Sequence, residues 1–361
     1  MESKSRCKVC VTGGAGYIGS ALIHSLLQIG YTVHATLRNL EERLHLFEAD
    51  IYKPQEFEEA IQGCVYVFHV ATPIYHTSGY KYNDKIEATI SAIKKIADVC
   101  IQSRTVRRLI YTASVVAASP LKDDGSGYKT TMDESCWTPL YISVPYSNDF
   151  VKEYTEAKTR AEQEILKIGE DKANELEVVT LSCGLVGGGG HLPYTTSSVM
   201  LLISQVINNE TQYQMLRYLE ELMGKIPIVH IKDVCRAHIF CIEMPMVNGR
   251  FLCSSSYITG TWKDQRGISN GAQESLKMKG FLTNTMSRRS WMIVSNMQRD
   301  QAISNKNLSL CFVSCFRYTE GPKREIKWGS TKLRDKGFSY KHDTKTTLDD
   351  CIECAMRSDN I

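Results

Sequence analysis

The chain has 361 residues, of which 43% are hydrophobic, enough for a large core and for one domain with an added lobe or for two domains. Its 43 basic and 40 acidic side chains are too evenly balanced for a protein that binds nucleic acid or a membrane surface, so a small-molecule partner is expected. The N-terminal residues lack the pattern of a secretory signal, and the longest apolar runs are too short to span a bilayer, which predicts a cytoplasmic protein.

The 13 cysteines are expected to be reduced thiols in that compartment. Two C-x-x-C spacings, at Cys7/Cys10 and Cys351/Cys354, could in principle supply four thiolates to zinc. If Cys7 and Cys10 lie on a strand, however, their side chains point to opposite faces and cannot close on one ion. No metal site is therefore predicted.

The first informative pattern is a short apolar run followed by a glycine-rich turn and a helical period. Val9 to Thr12 indicates a strand, Gly13, Gly16 and Gly19 follow, and apolar residues recur at helical spacing from Ile18 to Leu26. Glycines in such a turn allow positive φ and let the backbone approach a pyrophosphate at the helix N-terminus. The pattern favours a dinucleotide-binding strand, turn and helix, although the spacing differs from the usual G-x-G-x-x-G fingerprint.

The next strand, Thr32 to Leu37, is followed by Arg38, at the place where an acidic residue would hold a ribose 2′-hydroxyl. An arginine there can instead bind a 2′-phosphate through charge-assisted hydrogen bonds, which favours NADP(H) over NAD(H). The alternative is a surface arginine at a strand end.

Further β-rich runs continue in the same rhythm and, from the third strand onward, are separated by helix-length segments. These runs are Arg43 to Asp50, Val65 to Pro73, Arg107 to Ser114 and Leu176 to Val186. This alternation predicts an α/β fold with a doubly wound parallel sheet. Ligands of such sheets lie beyond the carboxyl ends of the strands, where Asp50, Ala71, Thr72 and Ser114 fall.

A catalytic group is predicted where Ser114 ends a strand and Tyr154 and Lys158 follow about forty residues later. Residues four apart share a helix face, so the phenol and the ammonium would point the same way. Lys158 would lower the pKa of Tyr154 and make it a proton donor to a carbonyl oxygen, which Ser114 would also hydrogen-bond. Alone, Y-x-x-x-K more often marks an exposed tyrosine and a solvated lysine, but the glycine turn and the serine favour catalysis.

Ten segments together carry a family resemblance. They read, in chain order, VCVTGGAGYIGS, FEADIYKP, VFHVATP, IYTASVVAASP, DESCW, YTEAKTRAEQ, VVTLSCGLVGG, VHIKDVCRAHIF, GRFLCSS and REIKWGSTKLRDKGFSYKHD. In these segments the chain resembles the plant dihydroflavonol reductase and anthocyanidin reductase group of the extended short-chain dehydrogenase/reductases, relatives of the NAD-dependent epimerase/dehydratase proteins. The resemblance covers residues 6 to about 258 and 323 to 358.

The resemblance implies an NADPH-dependent oxidoreductase that reduces a flavonoid-like carbonyl compound, anthocyanidin reductase-like or dihydroflavonol reductase-like, and a monomer is expected. Ser114, Tyr154 and Lys158 would form its triad, and residues 230–234 would belong to a hinge. The predicted cofactor-binding residues are Gly13, Gly16, Tyr17, Ile18, Gly19, Arg38, Asp50, Ile51, Val70, Ala71, Thr72, Tyr154 and Lys158. The alternatives are a catalytically impaired NADP(H)-binding member and a nucleotide-sugar epimerase or dehydratase.

The implied organisation is a Rossmann domain over residues 6–190 with strands from about 226–258, and a smaller substrate-binding lobe over 191–258 and 322–361. Residues 260–321 depart from the resemblance, and we expect an irregular insertion there rather than a substrate lid. The second and third strands are separated only by residues 39–42, too few for a usual parallel crossover. We therefore expect the third strand to pair differently or one strand to be displaced.

Four single residues also depart from the family pattern. Glu153 precedes the candidate tyrosine where a small or apolar residue is usual, and Ala157 precedes the candidate lysine where serine is usual. Ser182 stands where proline is usual. Ser119 occupies the position at which dihydroflavonol reductases carry an asparagine that contacts the flavonoid ring. This last difference favours the anthocyanidin reductase side of the group.

Overall fold

The fold comes from a computed structural model, which describes residues 7–37, 45–73, 75–204, 207, 209–245, 247–258 and 324–358. Arg38 and the insertion predicted at 260–321 lie outside the described residues, so the predictions made for them are not tested by the fold. Within the described ranges, no helix is both long and apolar enough to cross a membrane.

The described residues form twelve short strands. They are β1 Lys8–Thr12, β2 Thr32–Leu37, β3 His45–Glu48, β4 Tyr66–His69, β5 Arg108–Ser114, β6 Thr131–Met132, β7 Glu177–Cys183, β8 Leu185–Gly187, β9 Ile226–His230, β10 Gly249–Cys253, β11 Ser256–Ile258 and β12 Lys327–Trp328.

Helices alternate with these strands. They are α1 Tyr17–Gln28, α2 Phe57–Ile61, α3 Lys85–Ser103, α4 Asp149–Asp171, α5 Ser197–Ile203, α6 Glu210–Met223, α7 Ile231–Glu243, α8 Lys332–Asp335 and α9 Thr344–Arg357, with 3-10 turns at Pro54–Glu56 and Val115–Ala117.

A seven-stranded parallel sheet in the order β10-β7-β5-β4-β1-β2-β3 forms the centre of the molecule. Helices α1 and α7 cover one face and α2, α3 and α4 cover the other, each layer packing its apolar side chains on the strands. The predicted doubly wound α/β fold is confirmed. The strand order reverses between β1 and β4, and ligands of such sheets bind at a reversal of this kind.

The strands that hold the candidate site are almost completely buried, because helices cover both faces of the sheet. In β5, every residue from Arg108 to Ala113 is buried, and only Ser114, at the carboxyl end, is partly exposed. Helix α4 packs beside it and begins at Asp149, and the side chain of the preceding Asn148 accepts the backbone N–H of Val151 at 3.0 Å. The cap fixes where α4 starts and therefore where its side chains meet β5.

The expectation that the third strand pairs differently is wrong, because β3 lies parallel to β2 at the edge of the central sheet. His34 pairs with His45 and Leu37 with Glu48, so β3 begins level with the middle of β2. Between the end of β2 and the start of β3 the chain must therefore run back along the strand direction by only three residues, roughly 10 Å at about 3.3 Å per residue. Seven residues, 38–44, separate the two strands, and an extended chain covers about 3.3 Å per residue, so this number of residues is sufficient for that distance.

The strand predicted over residues 176–186 is two strands that belong to different sheets. β7 pairs with β5 and β10 in the central sheet, whereas β8 pairs with β9 in a three-stranded sheet of order β11-β9-β8. The change of partner falls at Gly184, where an added Cβ would lie 2.6 Å from the Ser254 hydroxyl. An apolar cluster formed by α5, α6, α9 and β9 packs beside this second sheet.

Candidate active site

Two glycines at the junction of β1 and α1 have no room for a side chain. Gly13 has φ +70°, and an added Cβ would lie 2.9 Å from the Cα of Ala71, while a Cβ on Gly19 would overlap the Gly13 carbonyl. The Gly14 N–H donates to the Thr36 carbonyl at 2.9 Å, which ties the turn to β2. No acidic side chain lies in the first turn of α1, so this backbone cradle and its helix N-terminus fit a pyrophosphate.

Thr12, the last residue of β1, holds the neighbouring segment after β4. Its hydroxyl accepts the backbone N–H groups of Val70 at 3.0 Å and Ala71 at 3.1 Å and therefore donates its own proton to His69 Nδ1 at 2.9 Å. His69 is thus the Nε2–H tautomer, and burial lowers its pKa to about 3, so the ring is neutral. The threonine fixes the predicted cofactor-contacting residues Val70 and Ala71 beside the glycine turn.

Asp50 and Ile51 follow β3 at the same edge of the sheet. The Asp50 carboxylate accepts the Tyr52 N–H at 3.0 Å and the Tyr80 hydroxyl at 3.2 Å, whereas Ile51 is buried. The predicted Ile18, on α1, is half-buried and packs against the apolar layer under the sheet. The structure therefore places these residues along one edge, together with the glycine turn.

Ser114 and Tyr154 meet at the carboxyl end of β5. Ser114 ends the strand, and its side chain is hydrogen-bonded to the Tyr154 phenol on α4. The Ser114 hydroxyl also accepts the Val116 N–H at 3.4 Å. Both side chains remain partly exposed, so the pair can be reached by a ligand at this edge of the sheet.

Lys158 lies one turn further along α4 and is 4% exposed. Its ammonium donates to the Thr72 hydroxyl at 2.9 Å, the Thr112 carbonyl at 2.9 Å and the Tyr111 hydroxyl at 3.4 Å. Ser114, Tyr154 and Lys158 thus come from two elements that meet at one place, next to the loop that carries Thr72.

Burial sets the pKa values of this group. It raises the pKa of Tyr154 above its ordinary value of 10.0, with the Ser114 hydrogen bond opposing that rise. It lowers the pKa of Lys158 from 10.5 to about 8. The predicted lowering of the Tyr154 pKa by Lys158 is therefore not observed, because desolvation dominates and the ammonium is bound to other acceptors.

Glu162, another turn along α4, forms a buried ion pair with Arg250 of β10. The carboxylate accepts two guanidinium N–H groups at 3.1 Å, the Thr180 hydroxyl at 2.7 Å and the Ser182 hydroxyl at 2.6 Å. Arg250 also donates to three backbone carbonyls, those of residues 117, 134 and 136, and stacks on the Trp137 ring at 3.6 Å. The pair therefore joins α4 to the 3-10 turn after Ser114. Ser182, which stands where the family usually has proline, here donates its hydroxyl hydrogen bond to Glu162.

Glu153, which also departs from the family pattern, forms an ion pair with Lys85 of α3. The two charged groups are 3.1 Å apart, and the side chain of Lys85 is 2% exposed whereas that of Glu153 is 55% exposed. The lysine also lies 5.0 Å from the centre of the Phe150 ring. The unusual glutamate therefore serves as a counterion for a buried lysine next to the N-terminal turns of α4.

Ser119 does not point toward a ligand. It is fully buried, its hydroxyl donates to the Leu222 carbonyl at the end of α6, and the same oxygen accepts the Leu121 N–H at 3.0 Å. This serine fastens the segment after β5 to α6.

A glycine run, residues 187–190, packs against the glycine turn and the hinge region. The Tyr17 hydroxyl donates to the Gly188 carbonyl at 2.6 Å, and the Gly188 N–H donates to the Cys351 sulfur of α9 at 3.0 Å. Gly188 has φ +100°, and a Cβ there would overlap the His230 ring. His230 Nε2 in turn donates to Asp350 of α9 at 3.0 Å, because its Nδ1 accepts the Lys232 N–H. His230 is therefore a buried connector in this structure.

The main residues that sequence reasoning missed are Tyr111, Glu162 and Arg250. Tyr111 lies inside a continuous apolar strand, where any aromatic residue normally indicates core. Glu162 could have been found, since it continues the four-residue spacing of Tyr154 and Lys158 on the same helix face. Arg250 gave no local signal, because a long charged residue in a strand is buried only when a distant partner neutralises it.

A model of the NAD dependent epimerase/dehydratase family matches residues 9–251. The chain is 34% identical to vestitone reductase of Medicago sativa, an alignment that covers 98% of this chain and 97% of that protein. It is 32% identical to an anthocyanidin reductase of Vitis vinifera, over 68% of this chain and 76% of the relative. It is 35% identical to a bifunctional dihydroflavonol 4-reductase/flavanone 4-reductase of Malus domestica, over 71% and 73%.

Solved structures are also similar. The crystal structure of vestitone reductase from alfalfa superposes with a TM-score of 0.65 at 26% identity, covering 97% of this chain and 98% of that one. A yeast methylglyoxal/isovaleraldehyde reductase complexed with NADPH superposes equally well, with a TM-score of 0.65 over 97% and 98% of the two chains, at 17% identity. The second match supports the fold alone.

Proposed function

The chain belongs to the NAD dependent epimerase/dehydratase family, and from this premise we propose that it is an NADPH-dependent carbonyl reductase acting on a flavonoid-like substrate of plant specialised metabolism. Its relatives are plant flavonoid reductases, which supports an oxidoreductase of that group. The observation that carries the proposal is the hydrogen bond between Ser114 and Tyr154, with Lys158 one turn away, at the end of the sheet where the glycine turn opens.

The proposed cofactor site runs along the carboxyl edge of the sheet. The glycine turn would hold the pyrophosphate, Asp50 and Ile51 would flank the adenine, and residues 70–72 would border the ribose and nicotinamide. Arg38 is proposed as the 2′-phosphate ligand on sequence grounds alone. When bound, NADPH supplies the hydride, and the remaining chemistry belongs to the side chains of this chain.

Tyr154 is proposed to give its phenolic proton to the substrate carbonyl oxygen. Ser114 donates a hydrogen bond to the same oxygen and stabilises the negative charge that develops there. After the transfer Tyr154 is a phenolate, and the nearby Lys158 ammonium lowers the energy of that anion. The raised pKa of Tyr154 keeps the phenol protonated at neutral pH, which a proton donor requires.

The proposal is tested by offering the purified chain a panel of dihydroflavonols, anthocyanidins and isoflavanones and following NADPH absorbance. Tyr154→Phe should reduce turnover by roughly 10²–10⁴-fold, the usual contribution of a general acid, while NADPH affinity measured by fluorescence stays close to that of the parent chain. Tyr66→Phe is the matched control, since Tyr66 begins β4 at the opposite end of the sheet.

Two outcomes would contradict the proposal. An active Tyr154→Phe variant would exclude the tyrosine as proton donor. A parent chain that binds NADPH but oxidises it with none of the substrates would instead favour a cofactor-binding member of the family without turnover. Arg38→Ser should weaken binding of NADPH more than binding of NADH, which tests the cofactor choice separately.

A further inference from the structure

Tyr111 is a fully buried tyrosine in the middle of β5 that touches the candidate site but has no assigned role. Its hydroxyl oxygen lies 3.4 Å from Lys158 Nζ, and the ammonium is 4.9 Å from the centre of its ring. The side chain therefore contacts the lysine twice, once through an oxygen lone pair and once through the aromatic face.

Tyr111 acts together with Thr72, because the two hydroxyl groups are also hydrogen-bonded to each other. A lysine ammonium has three N–H donors, and Lys158 finds three acceptors in Thr72, Tyr111 and the Thr112 carbonyl. Two of these acceptors come from adjacent residues of β5 and one from the loop after β4. The lysine is thus held against both strands.

These acceptors are neutral, so their dipoles must stabilise the charged lysine. Burial is the largest influence on the pKa of Lys158 and disfavours the ammonium, whereas Cys183 of β7 and Glu162, one turn further along α4, raise that pKa. A buried ammonium depends on every acceptor it has, since each lost hydrogen bond favours the uncharged amine. Of the three acceptors of Lys158, the Tyr111 hydroxyl is the one that a substitution removes without changing a backbone group or the Thr72 loop.

We propose that Tyr111 is a positioning residue, whose hydroxyl, with Thr72 and the Thr112 carbonyl, holds the Lys158 ammonium in the candidate active site. The inference rests on the proposed function, because it gives Lys158 a catalytic purpose. It adds a fourth side chain to the site, one that acts only through the lysine. Tyr111→Phe is the appropriate substitution, since it keeps the ring and removes only the oxygen.

The first measurement does not depend on activity. Lysine carrying carbon-13 at Cε is incorporated into the chain, the Lys158 signal is identified by its loss in Lys158→Arg, and its NMR chemical shift at a series of pH values gives the apparent pKa of that amine. Tyr111→Phe should lower it by about half a pH unit to one unit, the equivalent of one hydrogen bond. Tyr218→Phe is the control, because the Tyr218 hydroxyl lies 2.9 Å from Thr155 on the same helix without touching Lys158.

The second measurement is the pH profile of NADPH-linked turnover. Loss of the Lys158 proton should define the alkaline limb, so Tyr111→Phe should move that limb to lower pH while the dissociation constant of NADPH changes by less than about threefold. Tyr218→Phe should leave the limb in place. A structural role alone would reduce activity at all pH values without moving the limb.

Equal NMR titration curves of Lys158 for the parent, Tyr111→Phe and Tyr218→Phe would overturn the inference, whatever the activities. If Tyr111→Phe does not fold, Thr72→Val removes another acceptor of the same ammonium, and an unshifted titration curve for that variant would also overturn it. If the parent chain reduces no substrate but the curve still shifts between the parent and Tyr111→Phe, the proposed function fails and the positioning of Lys158 by Tyr111 stands. The two failures are therefore distinguishable.

Discussion

Replacing Glu162 by glutamine tests whether the buried ion pair with Arg250 holds α4, the helix that carries Tyr154 and Lys158, in place. Glu162 is fully buried and Arg250 is 5% exposed, so neither charge has water to replace a lost partner. The substitution keeps the size of the side chain but removes its charge and turns one acceptor oxygen into an N–H donor. That donor would face the guanidinium or the hydroxyl groups of Thr180 and Ser182, which now donate to the carboxylate.

The expected loss is about 3–5 kcal/mol in the free energy of unfolding, the range for removing one partner of a buried pair. Domains of this size are stable by roughly 5–15 kcal/mol, so the variant should fold but unfold at a much lower urea concentration. Glu164→Gln is the matched control on the same helix. Glu164 pairs with Lys94 at 3.0 Å, but their side chains are 29% and 50% exposed, so this loss should stay below about 1 kcal/mol.

Urea unfolding followed by intrinsic fluorescence measures both variants. The reasoning would be refuted if Glu162→Gln lost no more stability than Glu164→Gln, since the buried pair would then contribute no more than an exposed one. A double variant with Arg250→Met adds a further check. Because each single change leaves a buried group without its partner, the double variant should be less destabilised than the sum of the two.

Two further predictions concern the glycine run and the buried Lys158. Gly188→Ala should destabilise the fold by roughly 2–4 kcal/mol in thermal or urea unfolding, since it adds a clash with His230 to the backbone strain; Gly79→Ala, with φ +93° and open space around it, should cost only about 1 kcal/mol, and equal losses would contradict the clash. Lys158 has a pKa of about 8 in the folded chain against 10.5 as its ordinary value, so the unfolded chain binds more protons between these pH values and stability should rise with pH there. The difference corresponds to at most about 3 kcal/mol, and Lys158→Met should lack that rise when urea midpoints at pH 7.5 and 10 are compared; an identical rise in both chains would assign it to other groups.

The sequence predicted the parts of the fold that depend on local patterns. The strand, glycine turn and helix at the N-terminus were recognisable because steric demands of a tight turn leave few residue choices. The parallel order followed from apolar strands alternating with helix-length segments. The pairing of the strands was harder to predict, because periodicity indicates that a segment is extended but not which strand it pairs with. The division of residues 176–186 between two sheets and the pairing of β3 both depended on distant segments.

The candidate site shows the same limit. The structure places Ser114 beside Tyr154, as the strand end and helix spacing predicted. The partners of Lys158 were hidden, because Tyr111 and Thr72 lie 47 and 86 positions away in the chain. Ser119 was compared by analogy with an asparagine that contacts the flavonoid ring in relatives, and its side chain is buried against α6. Side-chain orientation in an irregular segment is set by tertiary packing, which no local pattern records.

The glycine run also limits how this protein can exchange parts with its relatives. The Gly188 carbonyl accepts the Tyr17 hydroxyl from α1, and the Gly188 N–H donates to the Cys351 sulfur of α9. The His230 ring lies where a side chain on Gly188 would be. A chimera that takes α9 from another family member would place different side chains against this glycine run. Segment exchange should succeed only when α1, the glycine run and α9 come from the same protein. Recombination between family members should therefore leave these three segments together.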